Sequence, residues 1–95
     1  MSFEVEITLE AETDLAQIKP FYRSQILDAI EEYLQAVPTR VSRARIKRLR
    51  LLDSPAYRLR VGEYRVFYDV DPAEKIVTVL RILSKEASLT YLRGE

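Results

Sequence analysis

Arg58, Arg60 and Arg65 are the residues whose types and spacing most directly suggest chemistry. They lie in the run Tyr57-Arg58-Leu59-Arg60-Val61-Gly62-Glu63-Tyr64-Arg65-Val66-Phe67-Tyr68, where polar and apolar residues alternate on both sides of Gly62-Glu63. Two alternating runs joined by two residues, glycine first, predict a β-hairpin closed by a type II′ turn. That turn dictates the register: Val61 faces Tyr64, Arg60 faces Arg65, Leu59 faces Val66, Arg58 faces Phe67 and Tyr57 faces Tyr68. One side then carries Tyr57, Leu59, Val61, Tyr64, Val66, Tyr68 and Val70, and is expected to pack on the rest of the chain. The other carries Arg58, Arg60, Arg65, Phe67 and Asp69, and is expected to be wet. Like charges opposite each other across strands weaken a sheet, so Arg60 against Arg65 points to an anion that bridges them. The guanidinium fork suits phosphate oxygens. Phe67 on the same side would stack on a base, as single-stranded RNA binders use aromatic rings. The plainer alternative is that these arginines pair with Asp69, Glu63 or acidic residues elsewhere.

Composition narrows the chemistry. The chain has no histidine and no cysteine, which removes the commonest general base, the commonest metal ligand and all thiol chemistry. Any catalysis falls to Lys, Arg, Tyr, Asp or Glu. No acidic cluster shares the arginine face, so neither metal nor cofactor is expected. The formal charge of zero hides a segregation: residues 1–37 sum to −6, residues 38–65 to +7 and residues 66–95 to −1. A neutral chain with one concentrated basic segment suggests a local anion site. Arg45, Lys47, Arg48 and Arg50, with Arg43, are read as additional cations for salt-sensitive RNA contacts.

The elements that must position these groups fit one domain over residues 1–95. Phe3, Val5, Ile7 and Leu9 alternate with polar residues and predict a strand. Glu12-Thr13-Asp14 with Leu15 and Ile18 predicts a short helix that stops before Pro20. A second helix runs from Pro20 to about Val37, with Ile26, Leu27, Ile30, Tyr33, Leu34 and Val37 spaced as one apolar stripe. Leu49 and Leu51 alternate with Arg48 and Arg50, predicting a strand. Asp53-Ser54-Pro55 and Asp71-Pro72-Ala73-Glu74 are turn chemistry. Residues 76–83 form a nearly continuous apolar strand, in which Arg81 is expected to cap the strand edge, and residues 84–92 a short helix or tail. No apolar run is long enough to span a bilayer. The absence of cysteine suits a reducing, cytoplasmic setting.

The hairpin run, the apolar strand after it and a Lys-containing tail ending in Tyr91 resemble the RelE/ParE superfamily of bacterial type II toxins, and the order of elements is similar along nearly the whole chain. The resemblance implies an α+β fold: an N-terminal strand, a two-helix hairpin, a small antiparallel sheet and a C-terminal helical tail. It implies a cognate antitoxin as partner. For the RelE branch it implies a ribosome-dependent mRNA endonuclease, in which Arg58, Arg60 and Arg65 clamp the phosphate. Lys85 donates a proton to the leaving oxygen or neutralises it, and Tyr91 stacks on or orients the attacked nucleotide or, with its pKa lowered by nearby cations, acts as a weak base. Arg58 and Arg60 stand where RelE-type strands often carry lysine, which leaves the general base open. The ParE branch implies instead a DNA gyrase inhibitor without catalysis, and a toxin that keeps the fold with little activity is the third reading.

Overall fold

A computed structural model of the chain describes residues 2–50 and 52–93. Five strands form one sheet in the order β1-β5-β4-β3-β2, with β1 at Glu4–Ile7, β2 at Ile46–Arg48, β3 at Tyr57–Val61, β4 at Tyr64–Asp71 and β5 at Ile76–Ser84. The helices are α1 at Leu9–Ala16, α2 at Pro20–Ala29 and α3 at Lys85–Leu92. Strands β2 to β5 are antiparallel, whereas β1 joins β5 in parallel. The helix pair after β1 carries the chain to the opposite edge of the sheet, and the antiparallel run from β2 to β5 walks back until β5 lies parallel beside β1.

The hairpin has the register its sequence dictates, from Tyr57↔Tyr68 to Val61↔Tyr64. Gly62 supplies φ +58° at the turn, a conformation only glycine adopts without strain. The apolar side of the hairpin packs as expected: Leu59, Val61, Val66 and Tyr68 join Ile26, Ile30, Leu34, Val77, Val79 and Ile82 in one core. The Tyr68 hydroxyl donates to the Pro38 carbonyl at 2.7 Å, so this buried phenol is satisfied.

Helix boundaries depart from the sequence reading in instructive ways. Leu9 is not a strand residue; it opens α1 and is 77% exposed. Thr8 ends β1 by capping α1, its hydroxyl accepting from Ala11 N–H and donating to the Leu80 carbonyl. The Pro20 helix runs to Ala29 and continues as a π-helical segment, Ile30–Leu34, that keeps Ile30 and Leu34 buried. Leu27 lies outside the stripe and is exposed. Strand β2 sits earlier than Leu49 suggested, because Ile46 is the residue that enters the core; Leu51 lies outside the described residues. Strand β5 carries a bulge: Phe67 pairs with Arg81 but Tyr68 with Val79, leaving Leu80 as the extra residue. The bulge turns both Val79 and Ile82 into the core and puts Arg81 on the opposite face.

Candidate functional site

The face opposite the core can be followed in rows across the sheet. Lys47, Arg58, Phe67 and Arg81 are successive register partners from β2 to β5, and Arg60, Arg65 and Leu83 form the next row toward the hairpin tip. Sequence alternation places all of them on one side. It predicts that this side is wet, and here the structure differs. Helix α3, capped by Ser84 accepting from Ala87 N–H, folds over the β4–β5 half of the face. Its Tyr91 ring lies 5.0 Å from the Phe67 ring, and Phe67 is fully buried. Phe67 is therefore a packing residue beneath α3 and presents no ring for a base.

The cations of the same face divide into satisfied and unsatisfied groups. The Arg81 guanidinium donates to both oxygens of Asp14 from α1, at 2.8 and 3.1 Å, and lies 5.7 Å over the Tyr91 ring. Asp14 also accepts from Ile82 N–H at 2.9 Å, covering the stretch of β5 that β1 is too short to pair. Arg81 is thus tied to α1 beside the edge of β5, but the edge itself is capped by Asp14 and not by Arg81. Asp14 is the residue sequence reasoning missed. It reads as a helix-cap acid, and its partner lies 67 residues away.

Arg58, Arg60 and Arg65 have no carboxylate within ion-pair distance among the described residues. Asp69, the acid offered as their plainer partner, instead accepts from Ser54 Oγ and Ala56 N–H, holding the turn before β3. Arg65 is buried and donates to the Gly62 and Tyr64 carbonyls at 2.9 and 3.0 Å, which braces the hairpin turn. Arg58 Nε is out of solvent with no hydrogen-bond partner among the described residues. Burial, then Arg65 and Arg60, hold the Arg58 guanidinium below its ordinary pKa. Burial and Arg60 do the same to Arg65, opposed by Glu63. Guanidinium nevertheless stays protonated in proteins. The result is a cationic cluster with no carboxylate in ion-pair distance among the described residues.

The remaining candidates scatter. Lys85 is exposed at the first turn of α3, and its backbone N–H donates to Glu63 O at 2.8 Å, which places it at the hairpin tip beside the arginines. Tyr91 is half-buried, and burial raises its pKa above the ordinary phenol value, outweighing the lowering by Arg81. This corrects the expectation that surrounding cations lower it: at neutral pH the Tyr91 phenol is protonated and no base. Arg48 and Arg45 are engaged elsewhere. Arg48 donates to the Leu49 and Ala56 carbonyls at 2.9 Å and lies over the Tyr57 ring, and Arg45 lies 5.5 Å over the Tyr33 ring of the helix layer. Lys47 and Arg50 are exposed. They rim a groove of about 370 Å³ whose apolar lining is Leu49, Leu52 and Leu92. Among the described residues no cluster of three acids could hold a metal ion.

An uncompensated guanidinium cluster on a rigid sheet can bind a phosphodiester and stabilise charge on its oxygens. Comparisons with known proteins point to a family of toxins. The family model for the ParE toxin of type II toxin–antitoxin systems, parDE, matches residues 5–88. The RelBE2 toxin–antitoxin complex of Mycobacterium tuberculosis contains a chain 26% identical, with TM-score 0.77 over 88% of this chain and 99% of that one. A chain of the RelE–RelB complex of Pyrococcus horikoshii is 22% identical, with TM-score 0.73 over 88% and 96%. A mutant of the Escherichia coli toxin RelE in the free state is 23% identical, with TM-score 0.72 over 96% and 92%. No curated protein sequence matches.

Proposed function

We propose, for a chain that belongs to the ParE toxin family of type II toxin–antitoxin systems, that the arginine face grips the phosphodiester of an mRNA and promotes its cleavage on the ribosome. The observation that carries this reading is the cluster of Arg58, Arg60 and Arg65, which has no carboxylate partner among the described residues and in which Arg58 Nε is out of solvent and unpartnered among them. Burial without a partner is costly, so a fold that keeps it is better explained by a ligand than by stability. Structures with RelB bound to RelE-type toxins support a cognate antitoxin as this chain's partner.

The reaction that suits the residues is attack by an RNA 2′-hydroxyl oxygen on its neighbouring phosphorus. The bond from phosphorus to the 5′-oxygen breaks, leaving a 2′,3′-cyclic phosphate and a 5′-hydroxyl. Arg58 and Arg60 neutralise the non-bridging oxygens as charge develops, while Arg65 holds the tip of the hairpin in place. Lys85 donates a proton to the leaving 5′-oxygen from the rim of the site and regains one from water. The attacking hydroxyl loses its proton to water, since the Tyr91 phenol is kept protonated by burial. Tyr91 acts by seating α3 on Phe67.

A second reading is favoured by the same absence of a placed base and by the ParE description of the matching family: inhibition of DNA gyrase without nuclease activity. Induction of the wild-type chain with primer extension on a reporter mRNA separates the two. Discrete cuts within translated codons, weakened by Arg58→Met and Arg60→Ala, are expected. Growth arrest with intact mRNA and accumulating DNA damage would overturn the nuclease reading in favour of gyrase.

A further inference from the structure

The sheet separates two complementary surfaces that one chain cannot bring together. The first is the outer side of α2. Leu27 is 41% exposed there, with Asp28 beside it and Glu31 one turn on in the π-helical continuation, both exposed. The inner side of the same helix, with Ile26, Ala29 and Ile30, is sunk in the core. No cation lies within ion-pair distance of Asp28 or Glu31 among the described residues. Arg23, the cation within α2, is spent on the Leu15 and Ile18 carbonyls. The outer face is thus an apolar anchor flanked by carboxylates.

The second surface is the groove of about 370 Å³ between the end of β2 and the end of α3. It lies on the arginine side of the sheet. Lys47 shares a row with Arg58. Leu49 extends the ladder by donating its N–H to the Ala56 carbonyl, and two residues on from Lys47 it faces the same way. Leu49 is buried, yet it stands outside the core beneath α1 and α2. Leu49, Leu52 and Leu92 wall the groove, Lys47 and Arg50 are exposed at its rim, and no acid lines it. The lining has no ring on which a base could stack and no side-chain amide or hydroxyl to meet a base edge. An aliphatic side chain with carboxylates on either side is what it accepts.

The distribution of charge favours one bearer of that anchor. The chain sums to zero, with −6 in residues 1–37 and +7 in residues 38–65. A neutral chain meets no long-range repulsion from its own kind, and segregated charge draws copies together head to tail.

We propose that copies of this chain associate head to tail, α2 of one copy seating Leu27 in the β2–α3 groove of the next, with Asp28 and Glu31 against Lys47 and Arg50. The two surfaces lie on opposite sides of the sheet, so the contact is heterologous and leaves one surface of each kind open at the ends. It does not depend on RNA binding. It brings carboxylates to the row that begins with Lys47 and Arg58, so a seated copy occupies ground that an anion would use.

Sedimentation velocity of the full chain over a range of concentrations tests this. The wild type is expected to sediment faster as concentration rises at low salt, and to revert to monomer at high salt, where surface charges are screened. Leu27→Ser is expected to weaken association roughly tenfold or more, the worth of one buried leucine side chain. Asp28→Lys/Glu31→Lys and Lys47→Glu/Arg50→Glu alter exposed side chains only, and circular dichroism verifies their folds. Each alone is expected to stay monomeric, because it sets like charges face to face. Their equimolar mixture is expected to associate again, since each then offers the other an opposite charge. A wild type that is monomeric at every concentration overturns the proposal. So does association that Leu27→Ser or either reversal leaves intact, or a mixture of the two reversals that stays monomeric. A monomeric wild type that binds a synthetic acidic peptide with one central leucine through Lys47 and Arg50 assigns the groove to a different protein and also overturns it.

Discussion

Arg58 and Arg81 sit in the same row of the sheet with one residue, Phe67, between them, and the fold treats them oppositely. Arg81 receives both oxygens of Asp14 and a tyrosine ring, and the hydrogen bond to Asp14 raises its pKa. Arg58 meets burial and then Arg65 and Arg60, which lower its pKa, and its Nε has no partner among the described residues. The half of the face under α3 is finished as structure. The half toward β2 is left as a demand for negative charge. The difference teaches where to look for function: a cation the fold has already neutralised is scaffold, and one it leaves beside its own kind is the candidate for a ligand.

The largest expected effect breaks this asymmetry on the ligand side. Arg58→Met should reduce mRNA cleavage by roughly a hundredfold or more, the scale set by removing one preorganised charge donor, as read by primer extension. Its stability in urea should not fall, because the substitution removes a half-buried cation whose Nε has no partner among the described residues and keeps the packing volume. A stability loss matching that of a core truncation would instead make Arg58 structural.

The scaffold side should answer in reverse. Asp14→Ala leaves the Arg81 guanidinium and Ile82 N–H without their acceptor, and should cost about 2–3 kcal/mol in urea unfolding. A loss under about 0.5 kcal/mol, the size of an exposed surface pair, would erase the contrast between the two arginines.

A smaller change tests the tip that holds Arg60 opposite Arg65. Gly62→Ala meets no atom, yet it must adopt φ +58°. It should therefore cost about 1 kcal/mol through backbone strain alone. An unchanged urea midpoint would mean that the turn relaxes and does not pin the register.

The smallest effect concerns Tyr91. Tyr91→Phe should leave cleavage at neutral pH close to wild type, because the phenol is protonated there and the ring still packs on Phe67. Its pKa is raised on folding, so the associated stability is complete below about pH 10, the value for a free tyrosine. It declines as pH climbs from there toward the raised folded value. Tyr68, raised in the same direction by burial, adds to this alkaline loss. Urea midpoints from neutral to strongly alkaline pH should fall less steeply for Tyr91→Phe than for wild type. A collapse of cleavage in Tyr91→Phe at neutral pH would return the phenol to the chemistry.

Local chemistry made the hairpin legible from residues alone. A two-residue turn with glycine first admits one register, and period-two alternation then assigns every side chain from Tyr57 to Tyr68 to a face. The same logic exposed the Arg60–Arg65 clash, the basic middle third and the Pro20 helix. Alternation states which residues share a face but not what covers it, so Phe67 was readable as a neighbour of the arginines and not as the floor beneath α3. The fate of each charge lay further off. Asp14 reaches Arg81 across 67 residues, and Asp69 is drawn away from the arginines by Ser54 and Ala56. Partners so distant in the chain meet only when the sheet closes and the helices dock. The sequence by itself determined the hairpin and the cations it displays. Only the tertiary structure decided which of those cations find a carboxylate, because the acids that could pair with them are brought near or drawn away only when distant segments dock.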